Sequence, residues 1–245
     1  MRFALAATFG AILGWIAPAA AQEAGGAFLL NGLDAEGQVY SATLDIGFMD
    51  GAAMVEWLQS DAPSRAGYGL QLGQVVGVVA AETGHGQGIA LYRIEKGRLD
   101  GTLNPVGIHI GSTAKEVLTG AATLGGTYVL TGIHNDGTAY SGTVEIMPTG
   151  ETYAVDWALS GLRFLGRGVR LGDTLVVAYA EDRRPQVWAY CITPNVLAGL
   201  TADGAATQVT PEVIIPLEAD FPGPDWIGKR LKDLQTEPRI DCPAA

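Results

Sequence analysis

The chain has 245 residues, of which 48% are apolar and 17% charged, a balance that excludes a disordered protein. Its 34 glycines stand beside only 12 prolines and follow no triplet period, which excludes collagen and points to many tight turns. The net charge of −11 leaves no basic face for releasing counterions, so nucleic acid is excluded as a partner, and anionic membrane surfaces are poor ones.

Residues 1–21 read as a secretory signal. Arg2 supplies the positive start, an apolar stretch runs from Phe3 to Ile16, Pro18 breaks it, and Ala19-Ala20-Ala21 offers small residues for cleavage before Gln22. Export to the periplasm or the extracellular space is expected. No later segment approaches the roughly 20 apolar residues of a spanning helix, so no membrane insertion of the mature chain is expected.

A repeat organises the rest of the chain. Gly25-Gly26-Ala27-Phe28-Leu29-Leu30-Asn31-Gly32 returns as Gly125-Gly126-Thr127-Tyr128-Val129-Leu130-Thr131-Gly132. Tyr40-Ser41-Ala42-Thr43-Leu44-Asp45-Ile46 returns as Tyr140-Ser141-Gly142-Thr143-Val144-Glu145-Ile146, and Val55-Glu56-Trp57 as Val155-Asp156-Trp157. The offset of 100 falls to 99 at Gly67-Tyr68-Gly69 and Gly166-Arg167-Gly168, and to 98 at Tyr92 and Tyr190. Small slips in turns with residue types kept in strands are the mark of duplicated β units. Within a unit the period is two: Tyr140, Gly142, Val144 and Ile146 face one way, and Ser141, Thr143 and Glu145 the other. Further strands are expected at 153–157, 169–171, 175–179, 187–192 and near Leu197. Short turns rich in Gly or Asp fall at 135–137, 148–150, 172–173 and 181–185, as antiparallel hairpins need. The fold expected is all-β: two tandem antiparallel meander units, 22–119 and 120–215, each of six or seven strands. They form either two small barrels or one shared sandwich or barrel core.

The glycine pairs Gly67/Gly69 and Gly166/Gly168 suit a sharp bend or close packing under an aromatic ring. A phosphate cradle would need a following helix, and another strand follows instead. Gly84-His85-Gly86-Gln87-Gly88 reads as a hairpin tip. The tail, 216–245, holds a short helix that Asp225 can cap, with Ile227, Leu231 and Leu234 on one face. Cys191 and Cys242, the two cysteines left for an exported chain, are expected to pair and tie this tail to a strand of the second unit.

Chemistry is sparse. His85, His109 and His134 have neither a nucleophile elbow nor metal-ligand spacing, and each reads as a solvated loop residue. Asp45/Glu145 and Glu56/Asp156 recur at matched positions, but alternation puts them on the polar face. No metal, cofactor or catalytic residue is expected. Candidate binding residues are the inward rings Tyr40, Trp57, Tyr140 and Trp157, and a positive patch from Arg163, Arg167 and Arg170, extended by Arg183 and Arg184.

Gly126-Thr127-Tyr128, Tyr140-Ser141-Gly142-Thr143, Tyr153-x-Val155-x-Trp157, Gly166-x-Gly168 and Leu175-Val176-Val177 together resemble a group of secreted proteobacterial β-repeat proteins often labelled "fibronectin-binding protein". The second unit fits the pattern well, and the first departs from it at Ala27, Phe28 and Ala53. The resemblance implies adhesion and assigns no binding residue. Three functions are therefore expected in this order: a non-catalytic binding module for a protein or glycan of the envelope or extracellular space; a small-ligand barrel resembling avidins or lipocalins; and a hydrolase using surface carboxylates.

Overall fold

The computed structural model describes residues 25–34, 36–49, 51–59, 63–81, 86–104, 112–192 and 197–242. The expected signal segment, His85 and His109 lie outside the described residues. Each repeat holds eight strands. The first gives β1 (Gly26–Leu33), β2 (Val39–Met49), β3 (Ala52–Leu58), β4 (Arg65–Leu72), β5 (Val75–Ala80), β6 (Gln87–Glu95), β7 (Arg98–Asn104) and β8 (Ala114–Thr119). The second gives β9 (Gly126–His134), β10 (Ala139–Thr149), β11 (Thr152–Leu159), β12 (Leu162–Leu171), β13 (Thr174–Ala180), β14 (Val187–Cys191), β15 (Leu197–Ala202) and β16 (Thr210–Pro216), and α1 (Pro224–Thr236) comes after them. Tight reversals carry the meander. Gly51 and Gly150 turn the β2–β3 and β10–β11 hairpins at φ 78° and 85°, where a Cβ would be strained.

The strands close into two antiparallel barrels of eight. One barrel runs β1-β2-β3-β4-β5-β14-β15-β16, and β16 pairs back onto β1. The other runs β6 through β13 without interruption, and β13 pairs back onto β6. Neither barrel coincides with a repeat. The first takes five strands from the first repeat and three from the second, and the second barrel takes the complement. The repeat boundary at 119/120 falls inside the second barrel, between β8 and β9. The connections at 81–86 and 181–186 are therefore not hairpins. Each carries the chain from one barrel to the other, because β5 pairs with β14 rather than β6. Among the expected turns, only these two are crossovers.

Alternation sorts the side chains as the period of two requires. Leu44, Ile46, Val55 and Trp57 fill the first barrel, with Val76, Val78, Tyr190 and Ile214. Val144, Ile146, Val155 and Trp157 fill the second, with Tyr92, Leu118, Leu130 and Val177. An eight-stranded barrel is just wide enough for its own side chains. Each large ring removes roughly 150–250 Å² from water, several kcal/mol at about 25 cal/mol/Å² before entropy costs. Asp45, Glu56 and Glu145 sit on the exposed outer faces.

A third core lies between the barrels. Leu70, Val75, Val79, Val187 and Ala189 on the outside of the first meet Ile89, Leu91, Val169, Val176 and Ala178 on the outside of the second. A Cβ at Gly77 would collide with Val176 and Leu91, so the bare backbone there sets how close the barrels approach. Helix α1 closes this core with Ile227, Leu231 and Leu234, the face read from the sequence. Gly223 occupies its N-cap and Pro224 begins it, while Asp225 sits in the first turn and makes no cap bond. The Cys191–Cys242 disulfide forms and spans 51 residues. No helix among the described residues is long and apolar enough to cross a membrane.

Candidate functional site

The same four side chains, two tyrosines, a tryptophan and a glutamate, meet inside one end of each barrel. In the first, Tyr40 of β2 donates its hydroxyl to Glu212 Oε1 at 2.5 Å, and Tyr190 of β14 donates to Oε2 at 2.7 Å. Trp57 of β3 donates Nε1 to the Tyr190 hydroxyl at 3.3 Å. In the second, Tyr92 of β6 and Tyr140 of β10 donate to Glu116 at 2.5 and 3.0 Å, beside Trp157 of β11. Both carboxyls are almost wholly buried, Glu116 at 2% and Glu212 at 1% exposure. Burial pushes both up from the ordinary carboxyl range, and the tyrosine and indole donors pull them part of the way back. The four tyrosines are held well above the usual phenol range by burial and by the adjacent carboxyl, so they stay protonated as donors.

Each constellation is assembled across the duplication. Tyr40 and Trp57 belong to the first repeat, and Tyr190 and Glu212 to the second; Tyr140 and Trp157 belong to the second, and Tyr92 and Glu116 to the first. Every ring lies flat over a glycine on the neighbouring strand: Tyr40 over Gly32, Trp57 over Gly67, Tyr92 over Gly101, and likewise in the second copy Tyr140 over Gly132, Trp157 over Gly166 and Tyr190 over Gly199. A Cβ at any of these would strike the ring, so the glycines permit the inward tilt that brings the polar tips to the carboxylate. Of the pairs expected to pack under a ring, Gly67 and Gly166 do so, whereas Gly69 meets the Gly77 backbone and Gly168 meets Leu175 and Val177 side chains.

The two ends differ in what surrounds the constellation. The first barrel opens on a cavity of about 1070 Å³, lined by Tyr40, Trp57, Arg65, Gln186, Trp188 and Glu212 and ringed by the β1–β2, β3–β4 and β15–β16 connections. The second has about 330 Å³. Four matched positions within the two mouths differ. Where the first barrel has Arg65, Ala80, Gln186 and Trp188, the second has Phe164, Tyr179, Gly88 and Ala90. Tyr179 lies over Gly88, stacks 5.2 Å from Trp157 and 5.7 Å edge-on from Phe164, and donates to the Asn104 carbonyl at 2.9 Å. It occupies space that Ala80 leaves open. In the first barrel Trp188 stands 4.8 Å from Trp57 instead, with the Arg65 guanidinium 5.6 Å from its ring.

Of the six expected binding residues, Tyr40 and Trp57 therefore line one cavity and Tyr140 and Trp157 the other. The arginines do not make a patch. Arg163 is exposed and pairs with Asp156 at 2.9 Å, and Arg184 pairs with the same carboxylate. Arg167 is buried at 4% exposure, donates to the Gly204 carbonyl and reaches Thr149 and Thr152, tying the second barrel to the β15–β16 turn of the first. Arg170 faces the opposite side of β12 and bonds the Gly172 carbonyl. His134 ends β9 rather than lying in a turn, and stacks on Tyr140 at 4.4 Å. Glu116, Glu212 and Trp188 were not expected. The carboxylates sit on the eighth strand of each repeat, the one that the period failed to reveal. Their signal was present: Glu116-Val117-Leu118 and Glu212-Val213-Ile214 match at an offset of 96. Among the described residues no three His, Cys, Asp or Glu are grouped to hold a metal. No family model, curated protein or solved structure matches this chain.

Proposed function

We propose that the protein is an exported binding protein whose small ligand enters the open end of the first barrel. One observation carries the reading: of two barrels with the same inner constellation, one is plugged by Tyr179 while the other keeps a cavity walled by Trp57 and Trp188, with a buried carboxyl at its base. Ligand sites are concave and combine apolar walls with convergent polar groups, and this cavity has both. Export is supported by the disulfide, which persists in oxidising compartments. The small-ligand reading is favoured over a macromolecular docking face because the expected arginine surface is consumed by internal contacts.

The test transplants the plug. Tyr179 needs Gly88 beneath it, so Ala80→Tyr is combined with Gln186→Gly. The chain, purified from a periplasmic extract without denaturation, is expected to retain a small molecule in native mass spectrometry, and the double variant to lose it with an unchanged β-sheet dichroism spectrum. Equal adducts on both, or none on either, would overturn the reading.

A further inference from the structure

We infer that the ligand of the first barrel is an organic cation, an ammonium group on an apolar body. This deepens the proposed function and rests on it.

The base of the cavity is a carboxyl in an unusual position. Glu212 is faced by Tyr40, Tyr190 and Trp188, all neutral donors. Among the described residues no Lys, Arg or His forms an ion pair with it. An ionised carboxyl buried without a countercharge is costly; Glu116 shares that setting, but the first barrel has the larger cavity in which a bound cation would supply the charge. The walls suit the same ligand. Trp57 and Trp188 line the cavity as a packed pair, and a positive group beside an indole ring is attracted by its quadrupole. The protein already uses this attraction, since the Arg65 guanidinium lies over Trp188. Charge along the cavity agrees: among the described residues that line it, Asp34, Glu151, Asp203 and Glu212 stand against one cation, Arg65. The net charge of −11 favours the approach of cations. An apolar body lying against the paired indoles, with its ammonium directed at Glu212, satisfies all of these at once.

The experiment uses three probes of nearly equal shape on the full chain, phenethylammonium, 2-phenylethanol and 3-phenylpropionate, titrated by calorimetry at neutral pH. Phenethylammonium should bind at least about 10-fold more tightly than the other two. Glu212→Gln should bring the three to within about threefold of one another. Glu116→Gln, at the matched position of the plugged barrel, should leave the preference intact. Equal binding of the three overturns the proposal, as does a preference for the carboxylate, which would implicate Arg65, or a cation preference that survives Glu212→Gln. Should Glu212→Gln fail to fold, the ranking of the probes on the parent chain still decides. The plugged double variant separates this failure from that of the cavity itself. If the alcohol or the acid binds best and the plug abolishes it, only the cation is wrong. If no probe binds, or the plug changes nothing, the proposed function falls as well.

Discussion

Glu116 and Glu212 each sit where a strand's alternation should place an apolar residue. Their folded-state proton affinity is raised by burial, above the ordinary 4.5 of a carboxyl. The native state thus holds more protons than the unfolded chain between that value and the raised one. Their contribution to stability is complete below about pH 4.5 and is lost as pH rises through the folded value. The Glu116→Gln, Glu212→Gln double variant removes this dependence. The parent's thermal midpoint, measured against the variant's, is expected to fall as pH rises above about 4.5, and a constant difference would show that the carboxyls titrate normally. The glycines beneath the rings are equally specific. Gly166→Ala puts a methyl group against Trp157, and overpacking of this kind costs about 1–3 kcal/mol, to be read from urea unfolding. A neutral result would mean that the ring does not rest on that backbone.

Strand by strand, the inward rings, the hairpin glycines, the helix face and the disulfide were legible because each follows from a local rule: a period of two, a turn that needs positive φ, a stripe at i, i+4 and i+7, or a leftover cysteine pair. Trp157→Ala should therefore cost about 3–5 kcal/mol, the usual range for a buried aromatic, with loss of its tilted contact to Tyr179. Cys191→Ser should cost about 4 kcal/mol by the loop-entropy account, and hydrogen exchange should show α1 opening first, since the disulfide is what fixes the segment after it. The eighth strand was not legible. Ala114, Glu116 and Leu118 point inward while Lys115, Val117 and Thr119 point outward, so polar and apolar residues occur on both faces and the alternation cancels. Arg167 misled for a related reason. Its position on the outer face of β12 is correct, but that stretch of outer face is covered by the β15–β16 turn, and coverage by a distant segment leaves no trace in local sequence.

At the scale of the molecule, which strands close which barrel could not be read from the repeat, since β5 followed by β6 looks the same whether the two pair or part. The exchange has a direct consequence for cleavage. A protease site placed between β8 and β9, at residues 120–125, divides the chain at the repeat boundary, yet both fragments hold strands of both barrels. They should co-elute as one species in native buffer and separate only in denaturant. The disulfide cannot account for this, because Cys191 and Cys242 lie in the same fragment. Fragments that part without denaturant would contradict the pairing of β5 with β14. The divergence of the two mouths also lies outside any local rule. Ala80 against Tyr179 is a difference of one ring, but it matters only because both side chains point into an enclosed space.

Because one tyrosine and the tryptophan of each mouth come from one copy, and the other tyrosine and the carboxylate from the second, heredity cannot treat the pockets as separate parcels. A genetic exchange that swapped one copy wholesale would rewrite half of each mouth and transmit neither intact, so a new ligand preference in this lineage has to be acquired by changes dispersed over both halves of the gene.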